Sequence, residues 1–402
     1  MFQSPDRARI HAAYEKVCRV LLERRTSEGH WIGRLSDSAL STATAISAFA
    51  VFYKNAKPDH LVGTPALPGL ISQGADWLLA HQNPDGGWGD TDKSVSNVST
   101  TLLVKSALVL ATNKRRECNG VERPDQPENP VAPVIAYAPG FHSRFRLSLE
   151  NAEKYLQNAG GIDAIKKRYG DDQTFSVPIL TNAALAGLVE WKDIPQLPFE
   201  LAALPMSWFR FVKMNVVSYA IPALVAIGQV RFHFSPERGR FIGNFFRRLV
   251  RKRTLQLIQK MQPESGGYLE AAPLTSFVIM SLSAMGQTDH PIVTKGIRFL
   301  LQTVRQSNSY GGSWAIDTNL ATWLTSLSLS ALQGTEHAKN AQTLDWLLSC
   351  QHTQRHPFTG ASPGGWGWTN LSGAVPDADD TAAALLALAS RNEYRFGTTG
   401  AD

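Results

Sequence analysis

Near the C-terminus the chain reads Val375-Pro376-Asp377-Ala378-Asp379-Asp380-Thr381-Ala382, three carboxylates in four positions just ahead of an Ala/Leu-rich run. Carboxylates this close repel one another, so at least one pKa rises and the group titrates as a unit. One of them can then stay protonated near neutral pH and act as an acid. The same residues have a plainer use. Asp and Thr ahead of an apolar helix are good N-caps, and the helix dipole favours negative charge there. The tetrad alone leaves both uses open.

The elements that must position these carboxylates are also visible. A chain of 402 residues that is 43% hydrophobic and 18% charged can bury a large core in one or two domains. Its three cysteines, Cys18, Cys118 and Cys350, are far apart and odd in number, which argues against a disulfide framework and fits a reducing compartment. They form no ligand set, so neither a metal nor a cofactor is expected, and a zinc-dependent prenyltransferase-like subunit is disfavoured. The N-terminus has no apolar signal segment, and no run reaches membrane-spanning length. The longest, 216–228, contains Pro222.

A two-part unit recurs. A polar amphipathic helix ends in Leu-Leu and then Gln, a Gly-Gly-aromatic turn follows, and then a second helix of Ala, Ser, Thr and Leu with hardly a charge. The clearest copy runs from Gln73 through Trp77-Leu78-Leu79-Ala80-His81-Gln82 to Gly86-Gly87-Trp88. Another joins Trp346-Leu347-Leu348-Ser349-Cys350-Gln351 to Gly364-Gly365-Trp366, and weaker ones end at Trp31, Tyr268 and Trp314. Helices that are apolar all round must be buried all round. Residues 38–52, 98–111, 178–189, 273–286 and 320–332 are of this kind, and polar helices alternate with them. The pattern predicts an all-α fold, an α/α toroid with an outer and an inner ring. Gln82, Trp88, Gln351 and Trp366 read as structural clamps at helix ends.

Two segments interrupt the alternation. Residues 113–146 are rich in Pro, Asn, Arg and Glu and read as a surface excursion. Residues 238–253 form a basic amphipathic helix. Phe241, Ile242, Phe245, Phe246, Leu249 and Val250 fall on one side, and Arg247, Arg248, Arg251 and Lys252 fill much of the other. Such a helix either docks on a membrane surface or packs into the core with a solvated basic face. The net charge of +6 is concentrated here, without a nucleic-acid motif, so nucleic acid is not an expected partner.

Taken together, the Gln…Gly-Gly-Trp repeats, the toroid pattern and Asp377-Ala378-Asp379-Asp380 resemble the squalene–hopene cyclase family of class II triterpene cyclases, over most of the chain. The resemblance implies that a terminal alkene of squalene or a related polyprene is protonated and the resulting carbocation cyclises to a hopanoid-type triterpene. It implies that Asp379 is the proton donor, that Asp377 and Asp380 are its partners, and that Trp368 and Trp314 line the cavity and stabilise cations. Trp323 is assigned to the core. It also implies two toroids, one inserted in the other: residues 1–35 open the catalytic toroid, 36–308 form the insert, and 309–402 return to it. The insert carries the membrane-docking segment, with Phe241, Phe245, Phe246, Leu249, Arg247 and Arg248 as its contacts, which places the protein as a peripheral or monotopic protein on the cytoplasmic face of a membrane.

The chain also departs from that family. The sequence continues only some twenty residues past Asp380 in a tail unlike the repeat, so the returning toroid is expected to be incomplete and to expose apolar helix faces. No His matches the family's contact to the donor. Residues 40–45 lack an acid and 214–219 lack a Trp where the family carries them. Two functions follow: an enzyme of cyclase lineage, or an inactive remnant or half of a split cyclase that acts as a lipid-binding scaffold, with a complementary C-terminal half or a second copy as partner.

Overall fold

Fourteen helices and three short strands make up the described part of the chain in a computed structural model, which describes residues 6–57, 67–112, 141–170, 172–204, 220–236, 241–307 and 311–389. The helices are α1 (Arg7–Glu23), α2 (Ala39–Asn55), α3 (Leu67–Ala80), α4 (Val98–Thr112), α5 (Phe141–Asn158), α6 (Gly161–Tyr169), α7 (Gln173–Leu185), α8 (Ile221–Phe234), α9 (Phe241–Met261), α10 (Ala272–Ala284), α11 (Pro291–Thr303), α12 (Ala321–Ala331), α13 (Ala341–Ser349) and α14 (Ala378–Leu388). The 214–219 stretch, the C-terminal tail, the start of the basic segment and most of the 113–146 excursion lie outside the described residues. The chain divides into two units, Ser36–Thr318 and Met1–Leu35 with Asn319–Asp402.

In the Ser36–Thr318 unit, the helices that lack a polar face are the buried ones. In α2 every residue from Ser41 to Phe52 is buried, and α4, α7, α8 and α10 are nearly as enclosed. Their Ala, Ser and Thr side chains allow close approach. Each packs against the next in the order α2, α4, α7, α8, α10, and α10 packs back on α2. Such a closed cycle is what the inner ring of a toroid requires. The amphipathic helices lie against it: α3 on α2 and α4, α5 on α4, α9 on α8, and α11 on α10. Helix α11 shows why, burying Ile292, Val293, Gly296, Ile297, Phe299 and Leu300 along one stripe. Helix α8, visible from sequence only as part of the apolar run that contains Pro222, completes the cycle. Pro222 stands in the first turn, where its missing N–H has no intrahelical partner to lose.

A small sheet joins the ends of this unit. Strand β3 (Gly311–Ala315) lies between β1 (Asp37–Ser38) and β2 (Arg305–Ser307), antiparallel to both. The unit therefore runs through Thr318, ten residues beyond the sequence boundary at 308, because β3 is held by main-chain pairing at both edges.

The Gly-Gly-aromatic turns share one set of hydrogen bonds. The indole N–H of Trp88 donates to the Leu78 carbonyl at 2.8 Å, and those of Trp31, Trp314 and Trp366 donate to Leu21, Leu300 and Leu347 at 2.7, 2.9 and 2.8 Å. The Tyr268 hydroxyl donates to Ile258 at 2.8 Å. Each of these rings donates to a carbonyl in the last turns of the preceding helix, where intrahelical donors run out; those of Leu21, Leu78 and Leu347 also accept the N–H three residues on. The Gln side chains donate similarly, Gln82 to Gly86 and Ser148, Gln262 to Gly266 and Ile292, Gln351 to Gly364. Gly266 has a φ of 89°, and a Cβ there would meet the Lys295 carbonyl oxygen at 2.4 Å, so that position requires glycine.

In the other unit, α12 packs against α13 and α14. Leu329, Leu344, Leu347, Trp366, Ala384, Ala387 and Leu388 form its main core. Its apolar faces are partly open: Leu327 on α12, Leu385 and Leu386 on α14, and Ile10, Tyr14, Val17 and Val20 on α1 are exposed. Trp323, assigned to the core from sequence, is 37% exposed, because it sits on the α12 face turned away from Leu329 and the core.

Candidate active site and lipid-facing helix

The carboxylate triad sits at the start of α14. Asp377 is the N-cap, and its side chain accepts the Asp380 N–H at 2.8 Å. The capping use and the clustering thus coexist. The main chain before it is fixed by the clamp turn, since the Asp377 N–H donates to the Trp366 carbonyl at 3.1 Å and Thr381 Oγ1 accepts the Trp366 N–H at 3.0 Å. Two residues on, Trp368 accepts the Trp323 N–H through its carbonyl at 3.1 Å, and Thr369 donates to Asn319 at 2.7 Å, the residue that also caps the first turn of α12. The turn at 364–369 and the N-termini of α12 and α14 therefore hold the site together.

The three carboxyls have different surroundings. Asp377 and Asp379 are exposed, whereas Asp380 is 6% exposed with its Oδ1 buried and unpartnered. Burial pushes the Asp380 carboxyl up to about 7, and the hydrogen bond to Asp377 and the charges of Asp377 and Asp379 push in the same direction. The carboxyl that burial holds partly protonated near neutral pH is thus Asp380, whereas Asp379, the expected donor, is exposed on the helix surface, as is Asp377. Trp368 is half-buried, with its indole N–H enclosed and unpartnered. Trp314, expected on the cavity wall, is wholly buried in the Ser36–Thr318 unit. It makes the clamp bonds to Leu300 and Thr42, so its ring is committed to structure.

Sequence inspection missed a recurring partner of the clamps. The main-chain N–H groups of Trp31, Trp88, Trp314 and Trp366 donate to the hydroxyls of Thr325, Thr101, Thr42 and Thr381 at 3.0–3.1 Å. The available signal was a Thr in the first turns of each small-residue helix.

In its first half, helix α9 keeps most of its apolar residues outside. Phe241, Ile242, Phe245, Phe246 and Leu249 are all exposed, Phe241 by 84%, and Arg248, Lys252 and Arg253 are exposed beside them. Arg247, expected among the lipid contacts, is 8% exposed and faces inward. Its Nη2 lies 3.0 Å from Glu200 Oε1, and its guanidinium lies 5.8 Å from the ring centres of both Phe199 and Phe232. Buried charges are found where such partners exist. No helix among the described residues is long and apolar enough to cross a membrane, and no group of three His, Cys, Asp or Glu among them could hold a metal ion.

No family model matches the chain. Curated proteins do. A terpene cyclase–glycosyl transferase fusion protein of Humicola fuscoatra is 24% identical over 98% of this chain and 32% of its own length. The squalene–hopene cyclase of Alicyclobacillus acidocaldarius is 22% identical over 82% of this chain and 61% of its own, and the sporulenol synthase of Bacillus subtilis is 30% identical over 31% of this chain and 21% of its own. The chain thus spans about a third of the fungal protein and 61% of the bacterial cyclase. Helical architecture, carboxylate triad and similarity agree: the curated homologues of this chain are squalene–hopene cyclases and related terpene cyclases.

Proposed function

We propose that the chain belongs to an enzyme that protonates squalene or a related polyprene and cyclises it to a hopanoid-type triterpene. The observation that carries this is the α14 triad, where one enclosed carboxyl is pushed up to about 7 beside two others. An alkene is a poor base, so the proton must come from a carboxyl that holds it at rest and gives it up in a dry site. In this reading the proton that Asp380 holds at rest passes to Asp379, which faces the open side of the helix and delivers it to the alkene. Asp377 accepts the Asp380 N–H and orders the helix start. Trp368 offers a ring face to the developing cation, worth about 2 kcal/mol when dry. No metal or cofactor is called for.

The lipid substrate is reached from a membrane on whose cytoplasmic face the protein sits, with the exposed apolar face of α9 dipping into the acyl region and Arg248 meeting anionic headgroups. A second reading is supported by the open faces of α12 and α14: the remaining cavity wall is supplied by a complementary C-terminal half or a second copy, and this chain alone acts as a lipid-binding scaffold.

The test is turnover of squalene by the polypeptide that contains these 402 residues. Asp379→Asn should abolish turnover, since an amide cannot protonate an alkene. Trp368→Ala should slow it less and change the product mixture. Full activity of Asp379→Asn would refute the donor assignment, and no turnover by the unaltered protein would favour the scaffold.

A further inference from the structure

We infer that Arg247 is a positioning residue, a rotational lock that holds α9 with its apolar face outward. The inference rests on the membrane-docking reading above, but the lock can be read separately. In a helix each residue advances about 100°. Phe245 and Leu249 therefore point nearly opposite Arg247, and Phe241 and Ile242 flank that direction. The inward line from Arg247 continues through Arg251, Thr254 and Ile258. Arg251 is half-buried, and Thr254 and Ile258 are enclosed. In its first half, then, α9 is built inside out, with arginine in and phenylalanine out.

In water, burying such a face is ordinarily favourable. Rolling the helix inward would break the Arg247–Glu200 pair and withdraw the guanidinium from two aromatic rings. Breaking a largely enclosed ion pair leaves a charge uncompensated, and drawing a cation off a ring face forfeits their attraction. The two tendencies oppose each other, so Arg247 can decide the orientation. Its partners come from different elements: Glu200 and Phe199 from the short helical turn Phe199–Ala203, Phe232 from α8. That turn packs on both α8 and α9. Farther along, Gln229 donates to Thr254 at 2.9 Å and ties α8 to the same inward line. Arg247 thus fixes the roll of α9 at the end where the Phe residues lie.

The test uses the full chain carrying Phe245→Trp as a reporter, its emission taken as the difference from the otherwise identical chain with Phe245 because ten native tryptophans also emit, in buffer and with vesicles of phosphatidylcholine and phosphatidylserine. In buffer the reporter should emit as a solvent-exposed indole, and vesicles should shift it to the blue. Adding Arg247→Met, similar in length but uncharged, should shift the emission to the blue before any lipid is added and lower vesicle binding several-fold. Arg247→Lys should restore part of both, because charge is retained without the planar fork. Glu200→Gln, a milder change that keeps the side chain's size, should move both readouts the same way to a smaller degree, and it decides the question if Arg247→Met loses its helical signal. Unchanged emission and unchanged vesicle binding in the variants would overturn the lock. A reporter indifferent to vesicles, with binding untouched by Phe245→Asp plus Phe246→Asp, would sink the docking reading instead, while the emission in buffer would still report on the lock.

Discussion

At the scale of single residues, Asp380 makes the clearest pH prediction. Its carboxyl is pushed up to about 7 in the fold, from an ordinary value near 3.8. Between those values the folded chain holds a proton that the unfolded chain releases, so Asp380 lowers stability progressively as pH rises through this window. Asp380→Asn should leave the unfolding free energy close to the parent's near pH 4 and raise it above pH 7, with about 4 kcal/mol as the ceiling. Denaturant unfolding at several pH values checks this, and a pH-independent difference would contradict it. The cluster itself was legible in the sequence, because three carboxylates in four positions must interact. Which carboxyl is enclosed was not legible, because that depends on the side of α14 that meets the turn at 364–369. Arg247 was misplaced for a similar reason. A helical projection separates arginines from phenylalanines, but it cannot say which side faces Glu200.

Among the elements, the alternation of polar and small-residue helices was readable because a helix without a polar face has nowhere to go but inside. Helix α8 was visible only as an apolar run too short to span a membrane, and Pro222 within that run is a first-turn residue. The β3 strand escaped because its five residues are glycine-rich and gain order only from both neighbouring strands. The clamps carry a stability prediction. Trp88→Phe keeps a buried ring but removes the 2.8 Å donor to the Leu78 carbonyl, which is left with the His81 N–H at 3.2 Å alone. The expected cost is about 1–3 kcal/mol, read as a lower thermal midpoint with helix content retained at low temperature. An unshifted midpoint would mean that the His81 N–H alone satisfies the carbonyl. Thr101→Val, which removes the acceptor for the Trp88 N–H, should act in the same direction.

Across the whole molecule, each unit has its own logic. The Ser36–Thr318 unit closes a cycle of buried helices and presents an apolar helix face outward. The other unit carries the triad and leaves Trp323, Leu327, Leu385 and Leu386 partly uncovered. Protonation of an alkene by that triad is the step on which the proposed function depends, and solvent isotope reports on it directly. The carboxyls exchange with water, so squalene turned over in deuterated buffer by the polypeptide containing this chain should yield polycycles bearing one deuterium on carbon in the first ring formed, and Asp379→Asn should yield none. Cyclised product without carbon-bound deuterium, or deuterated product formed at the parent rate by Asp379→Asn, would contradict it.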